Sequence, residues 1–167
     1  RYSFKTRKTW WFTAIAKTKA RYARTALGSF WLGISTLMTV LCLGFVYGTV
    51  FNVSNFKEYF IYLGIGLVIW TPISEAINQA PLIFITNSNS LKNSTIKPIF
   101  FVCQEWAFQV QSFIQAFIMV FVVFLIFSPG LVLNLVAAPL HFFNLLLFIF
   151  WLQLLISLLG TKFTDLF

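Results

Sequence analysis

"RYARTALGSFWLGISTLMTVLCLGFVYGTVF", residues 21–51, sets Arg21 and Arg24 directly before an apolar run that begins at Phe30. After Arg24 no charge returns until Lys57. A soluble helix distributes its charges along one face, whereas these cations stop at a boundary, as they do at a membrane surface. The run from Phe30 to Phe51 is long enough to cross the hydrocarbon core, since a spanning helix takes about 20 apolar residues to cover about 30 Å. It is also too long for the apolar region of a signal peptide and lacks a small-residue cleavage pattern, so it is expected to remain in the mature protein.

Composition extends that reading to the whole chain of 167 residues. Hydrophobic residues make up 59%, aromatic residues 20% and charged residues only 10%, with a mean hydropathy of +0.86. A soluble domain is about one quarter charged. Three further segments qualify as spans: 59–83 with a polar second half, 105–127, and 141–160. None alternates polar and apolar residues as a barrel strand does, and the bilayer leaves helices as the other spanning structure. The expected fold is therefore an all-α integral membrane protein with four transmembrane helices, 30–51, 59–83, 105–127 and 141–160. Between the last two, "SPGLVLNLVAAPL", residues 128–140, is short and bracketed by Pro129, Gly130 and Pro139, and reads as a dipping or interfacial element.

The net charge of +8 is local: eight of the twelve cations lie within the first 24 residues. Basic loops stay cytoplasmic, and with the N-terminus inside, lysine and arginine divide eleven to one between the two sides, Lys57 alone lying outside. Nucleic acid could attract such a cluster. The same stretch, however, carries Trp10, Trp11 and Phe12 and runs into a span, which favours anionic lipid headgroups and no nucleic-acid partner. At about 100° per residue Phe4, Trp11, Ile15 and Tyr22 gather within about 40°, while Lys17 and Arg24 lie roughly opposite and Arg21 flanks them. Residues 1–27 thus read as an interfacial amphipathic helix, with Trp10, Trp11, Arg21 and Arg24 at the headgroup level.

Inside the spans, polar residues follow helical spacing. Thr36, Val40, Gly44 and Gly48 recur every four residues in the first, and "GFVYG" allows a second helix to approach closely. The second carries Thr71, Ser74, Glu75, Asn78 and Gln79, with Pro72 expected to kink it. A carboxylate at mid-membrane costs about 2.5 to 3.5 kcal/mol on insertion scales, so Glu75 should face protein, a polar cavity or the wet end of the helix. Gln104, Gln111 and Gln115 repeat the theme in the third. These faces imply a bundle, a partner or a hydrated path.

Catalytic chemistry has little to work with. Glu58, Glu75, Glu105 and Asp165 are the four acidic residues and are widely separated; His141 is alone. No paired carboxylates for acid/base work and no metal-ligand set can be assembled. Cys42 and Cys103 give no disulfide or metal spacing. "LLGTKFTD" holds a glycine, a threonine and a lysine without the phosphate-loop spacing. Any nucleotide energy would come from another subunit.

"RYARTALGSFW", Arg21–Trp31, resembles the stretch before the first span in the membrane permeases of ATP-binding-cassette exporters of lipid-linked polysaccharides, such as O-antigen, capsule and teichoic-acid exporters. Arg21, Tyr22, Arg24, Leu27, Gly28 and Trp31 carry the likeness. "VYGTVF" closing the first span, "YLGIGLVIW" opening the second and "LLGTKFTDLF" after the fourth look similar in the same order. Phe163 and Asp165 fit the last motif, while Thr164 stands where relatives carry arginine. "QSFIQAF" holds glutamines where some relatives place a histidine-asparagine pair, which leaves the substrate subclass open.

The resemblance implies a six-helix permease subunit of a bacterial inner membrane, N-terminus cytoplasmic. Such subunits pair as a homodimer and bind two copies of a cytoplasmic ATPase, which holds ATP and Mg; no cofactor is expected in this chain. The beginning at Arg1 and the end inside an apolar phrase then suggest a piece lacking the C-terminal helices. The cytoplasmic loop "TNSNSLKNSTIKP", residues 86–98, is implied to hold the coupling helix that docks on the ATPase, with Asn89, Ser90, Leu91, Lys92 and Asn93 at its centre. Tyr47, Phe51, Tyr59 and Tyr62 are candidate stacking surfaces for sugar rings along the substrate path; taken singly, each is better explained by an interfacial aromatic belt. Glu75, Gln111 and Gln115 are the intramembrane polar candidates. A lipid or drug exporter of the same fold, and a membrane-embedded transferase of the polysaccharide pathway, are the alternatives.

Overall fold

The computed structural model describes residues 7–23, 25, 28, 30–93, 96–127 and 138–162. Those residues form helices and short turns, with no strand among them. Helix α1 spans Arg7–Tyr22, α2 Phe30–Val50 and α3 Phe56–Gln79. A 3-10 turn, Ala80–Leu82, leads into two short helices, α4 (Ile83–Thr86) and α5 (Ser88–Asn93). Two long helices follow, α6 (Ile99–Phe127) and α7 (Ala138–Lys162). Four stretches are long and apolar enough to cross a membrane: Gly33–Val50, Phe56–Thr86, Ile99–Ile126 and Leu140–Lys162.

The spans match the expected ones in number and order, with different ends for local reasons. The second starts at Phe56 rather than 59, because Asn55 accepts the Glu58 backbone N–H and caps the helix. It gives way to the 3-10 turn after Gln79, where Pro81 has no N–H to continue the ladder. The third begins at Ile99, directly after Pro98, six residues before the expected start at 105. The fourth starts at Ala138 with Pro139 in its first turn, where the missing N–H costs nothing. Helix α1 ends at Tyr22, short of residue 27. Residues 128–137, Arg24, and the Phe163, Thr164 and Asp165 of the last motif lie outside the described residues.

Tight turns explain the connections. Helix α2 closes in a Schellman arrangement: Val53 N–H donates to the Gly48 carbonyl at 3.1 Å and Asn52 N–H to that of Thr49 at 3.3 Å. Asn52 takes the required left-handed conformation, φ 49°. Gly28, with φ +56°, turns the chain between α1 and α2, and its N–H donates to the Thr25 carbonyl.

Helix α6 is the centre of the bundle, with α1, α2, α3 and α7 all packed on it. Val68, Phe113, Val120 and Phe124 form one core cluster. A second, Ala80, Ile83, Phe100 and Phe101, gathers the 3-10 turn and the start of α6, with Trp10, Leu91 and Ile156 against it. The Trp106 indole N–H donates to the Leu146 carbonyl at 2.9 Å and ties α6 to α7. The glycine face of α2 packs on α3, as its spacing implies. It is filled by rings rather than by a second backbone: Gly44 faces Phe60, and Gly48 faces Phe56. Helix α3 runs through Pro72, and the Thr71 hydroxyl bonds the Leu67 carbonyl at 2.7 Å.

Candidate functional site

Helix α1 does not merely border the bundle; one edge of it is docked there. Ala14 is fully buried against Ala107 and Phe108 of α6. Thr18, one turn on, donates to the Gln111 side chain at 3.1 Å, and Trp10 packs on Trp106 with ring centroids 6.1 Å apart. Lys17 forms an ion pair with Glu105. Lys17 and Arg21 both lie over the Phe108 ring, at 5.0 and 5.4 Å. Trp11 and Phe12 face outward, the latter 70% exposed, while Ile15 and Tyr22 are half-buried. The buried edge Trp10–Ala14–Thr18 therefore differs from the apolar face read on the wheel. A small alanine and a hydroxyl allow the close approach that bulky residues would prevent.

Between α1, α3 and α6 lie three polar cavities that share walls. One, about 300 Å³, is bounded by Arg21, Tyr22, Trp31, Thr71, Glu75 and Ser112 among others. The next, about 420 Å³, shares Arg21 and Glu75 and adds Lys17, Gln79, Glu105 and Gln109. The third, about 370 Å³, continues past Lys17 and Glu105 to Gln104, Thr86 and Asn87, at the foot of α5. Charged side chains of both signs thus line a groove in this bundle.

Two polar side chains in this groove are buried with unused hydrogen-bonding atoms. Gln109 is 1% exposed, and neither its amide oxygen nor its nitrogen has a partner; the Ser112 hydroxyl, 5% exposed, has none either. A buried polar atom left so costs about 1 to 3 kcal/mol. Burial pushes the Tyr22 phenol above its ordinary pKa, against the lowering effect of the Arg21 guanidinium and with the Glu75 carboxylate adding to the rise.

The structure brings together Glu75 and Arg21, and sets Gln111 on α1 through Thr18. Gln115 is half-buried, its oxygen unpartnered. Tyr47 and Phe51 stack on each other at 6.0 Å, Tyr59 is half-buried and Tyr62 is 80% exposed. None of the four lines the groove. Residues 88–93, inside the loop implied to carry a coupling helix, form a short helix; Leu91 packs inward while Asn89, Ser90 and Lys92 are exposed. The side chain of Asn93 lies outside the described residues.

Lys17, Glu105, Gln109 and Ser112 were not among the residues singled out from sequence as a site. A signal for three of them existed: Glu105, Gln109 and Ser112 are four and three residues apart, one stripe of a helix. Among the described residues no group of three His, Cys, Asp or Glu could hold a metal. Compared with known proteins, the chain matches no family model, no curated protein and no solved structure.

Proposed function

We propose that this chain is the permease subunit of an ATP-driven exporter, providing the membrane path for a lipid-linked cell-surface polysaccharide. In this reading it works as a homodimer in a bacterial inner membrane, N-terminus cytoplasmic. Two copies of a cytoplasmic ATPase, carrying ATP and Mg, supply the energy. The observation that carries it is the charge-lined groove between α1, α3 and α6. Polar and ionisable residues are expensive within a bilayer and are kept where a polar species is handled, as a permease for a polar cargo requires. The motif resemblance around Arg21–Trp31 supplies the substrate class.

Helix α5 is assigned to the ATPase contact, since Asn89, Ser90 and Lys92 are presented outward while Leu91 anchors the helix on the core. Membrane lipids meet the bundle at Trp11 and Phe12. A lipid exporter of the same fold is the second reading. The observation favouring it is an almost wholly apolar cavity of about 430 Å³ between α2, α3 and α6, lined by Leu37, Phe60 and Phe124 among others.

Co-expression with a cassette ATPase tests the proposal. A stable complex with ATP-dependent polysaccharide export is expected, and Lys92→Glu with Asn89→Asp should leave membrane insertion intact while uncoupling hydrolysis from export. If no cassette ATPase associates, the assignment fails; if association is retained but transport follows lipid alone, the second reading replaces it.

A further inference from the structure

We propose that the two cavities lined by both Arg21 and Glu75 bind a zwitterion carrying both an amine and a phosphate, the chemistry of a phosphoethanolamine headgroup. The inference goes beyond the transport reading and does not depend on it.

Charge arrangement leads to this ligand class. Lys17 and Glu105 neutralise each other, whereas Arg21 and Glu75, which line both cavities, form no ion pair among the described residues. A ligand carrying only negative charge would meet the Glu75 carboxylate, and one carrying only positive charge would meet the Arg21 guanidinium. A molecule with separated charges of both signs satisfies the two together. A neutral ligand would add nothing to the through-space attraction that Arg21 and Glu75 already exert on each other.

The remaining walls fit the same molecule. Tyr22 and Trp31 border the cavity that holds Glu75, giving aromatic faces beside the carboxylate, the combination that recognises ammonium groups. Gln109 lines the larger cavity with an amide whose donor and acceptor are both idle, and Ser112 adds an idle hydroxyl in the smaller one. Phosphate oxygens accept from such groups and from guanidinium. Helix α1, with Trp11 and Phe12 turned outward, brings this chemistry beside the apolar surface where lipid would lie.

The test uses the full chain in detergent micelles, given equal amounts of dioleoyl phosphatidylethanolamine and dioleoyl phosphatidylglycerol, with retained lipid counted by native mass spectrometry. The acyl chains are identical, so the ratio reports the headgroup. Phosphatidylethanolamine should be favoured by about tenfold, the scale of one charge-assisted contact. Arg21→Gln should lower its retention by a similar factor, with partial recovery in Arg21→Lys, and Glu75→Gln should bring the two lipids near parity. Gln109→Leu distinguishes binding from packing: it should weaken retention while leaving the melting temperature unchanged or raised, because an unsatisfied amide has been removed. Displacement of the lipid by soluble phosphoethanolamine would support a free zwitterion as ligand, and resistance to it a lipid-held one. Equal retention of both lipids by the unaltered chain would overturn the proposal without touching the ATPase assignment. Stabilisation by a free sugar but not by phosphoethanolamine would overturn it too.

Discussion

At Gly160 an added Cβ would come within 2.6 Å of the Pro81 Cα and 3.2 Å of its carbonyl oxygen. The obstacle is backbone, in the 3-10 turn that ends α3, and cannot rotate aside. At Gly66, on α3, the same atom would meet nothing within 4 Å. Gly160→Ala is therefore expected to cost about 1 to 3 kcal/mol by overpacking, whereas Gly66→Ala should be neutral or gain up to about 1 kcal/mol from helix propensity. Thermal unfolding of both variants in one detergent checks the contrast; equal shifts would mean that α7 does not rest on Pro81. Gly66 lies inside an apolar run and Gly160 at the end of one, and nothing in either stretch marks a contact with distant backbone. What separates them is the helix that arrives from elsewhere in the chain.

Helix α1 is where an element's sequence pattern and its packing part company. Its cations read as a surface collar, yet Lys17 reaches Glu105, a carboxylate with 12% side-chain exposure, from a side chain 43% exposed. That asymmetry orders the variants. Lys17→Met strands a mostly buried carboxylate, while Glu105→Gln leaves an ammonium that can turn to water. Hydrogen exchange of the α1 backbone should accelerate more in Lys17→Met than in Glu105→Gln. For Glu105→Gln the change should stay within about fivefold, since a half-exposed ion pair is worth up to about 1 kcal/mol. The double variant should lie closer to the unaltered chain than Lys17→Met does. Identical rates in all three would show that α1 is held by Trp10, Ala14 and Thr18 alone.

For the whole molecule, the packing of Trp10 with Ala80, Ile83, Phe100 and Phe101 gathers α1, the turn after α3 and the start of α6 at one end. The connection between α2 and α3, with Lys57 beside it, lies at the other end of those helices. Cysteine labelling from either side of a sealed membrane should then report Lys8→Cys and Asn89→Cys together and Lys57→Cys on the opposite face. The background needs Cys42 replaced, because it is exposed; Cys103 is buried. Reaction of positions 8 and 57 from the same side would break the four-span arrangement. Under the proposed topology, position 8 should react with reagent on the cytoplasmic side.

Four apolar rods, their order and a polar loop ending at Pro98 follow from the sequence by itself, because hydrocarbon burial and proline's missing donor are properties of contiguous residues. The polar candidates Glu75 and Gln111 were also legible, since a charged or amide group in an apolar run stands out on its own. Tertiary structure alone decided that α1 docks by its Trp10–Ala14–Thr18 edge, that Gln109 and Ser112 join Glu75 and Arg21 in one groove, and that Phe56 and Phe60 fill the glycine face of α2. The physical reason is common to all three. A groove or a docked edge is made by residues far apart in the chain, and each helix taken singly offers several faces of similar hydrophobicity among which only its neighbours choose.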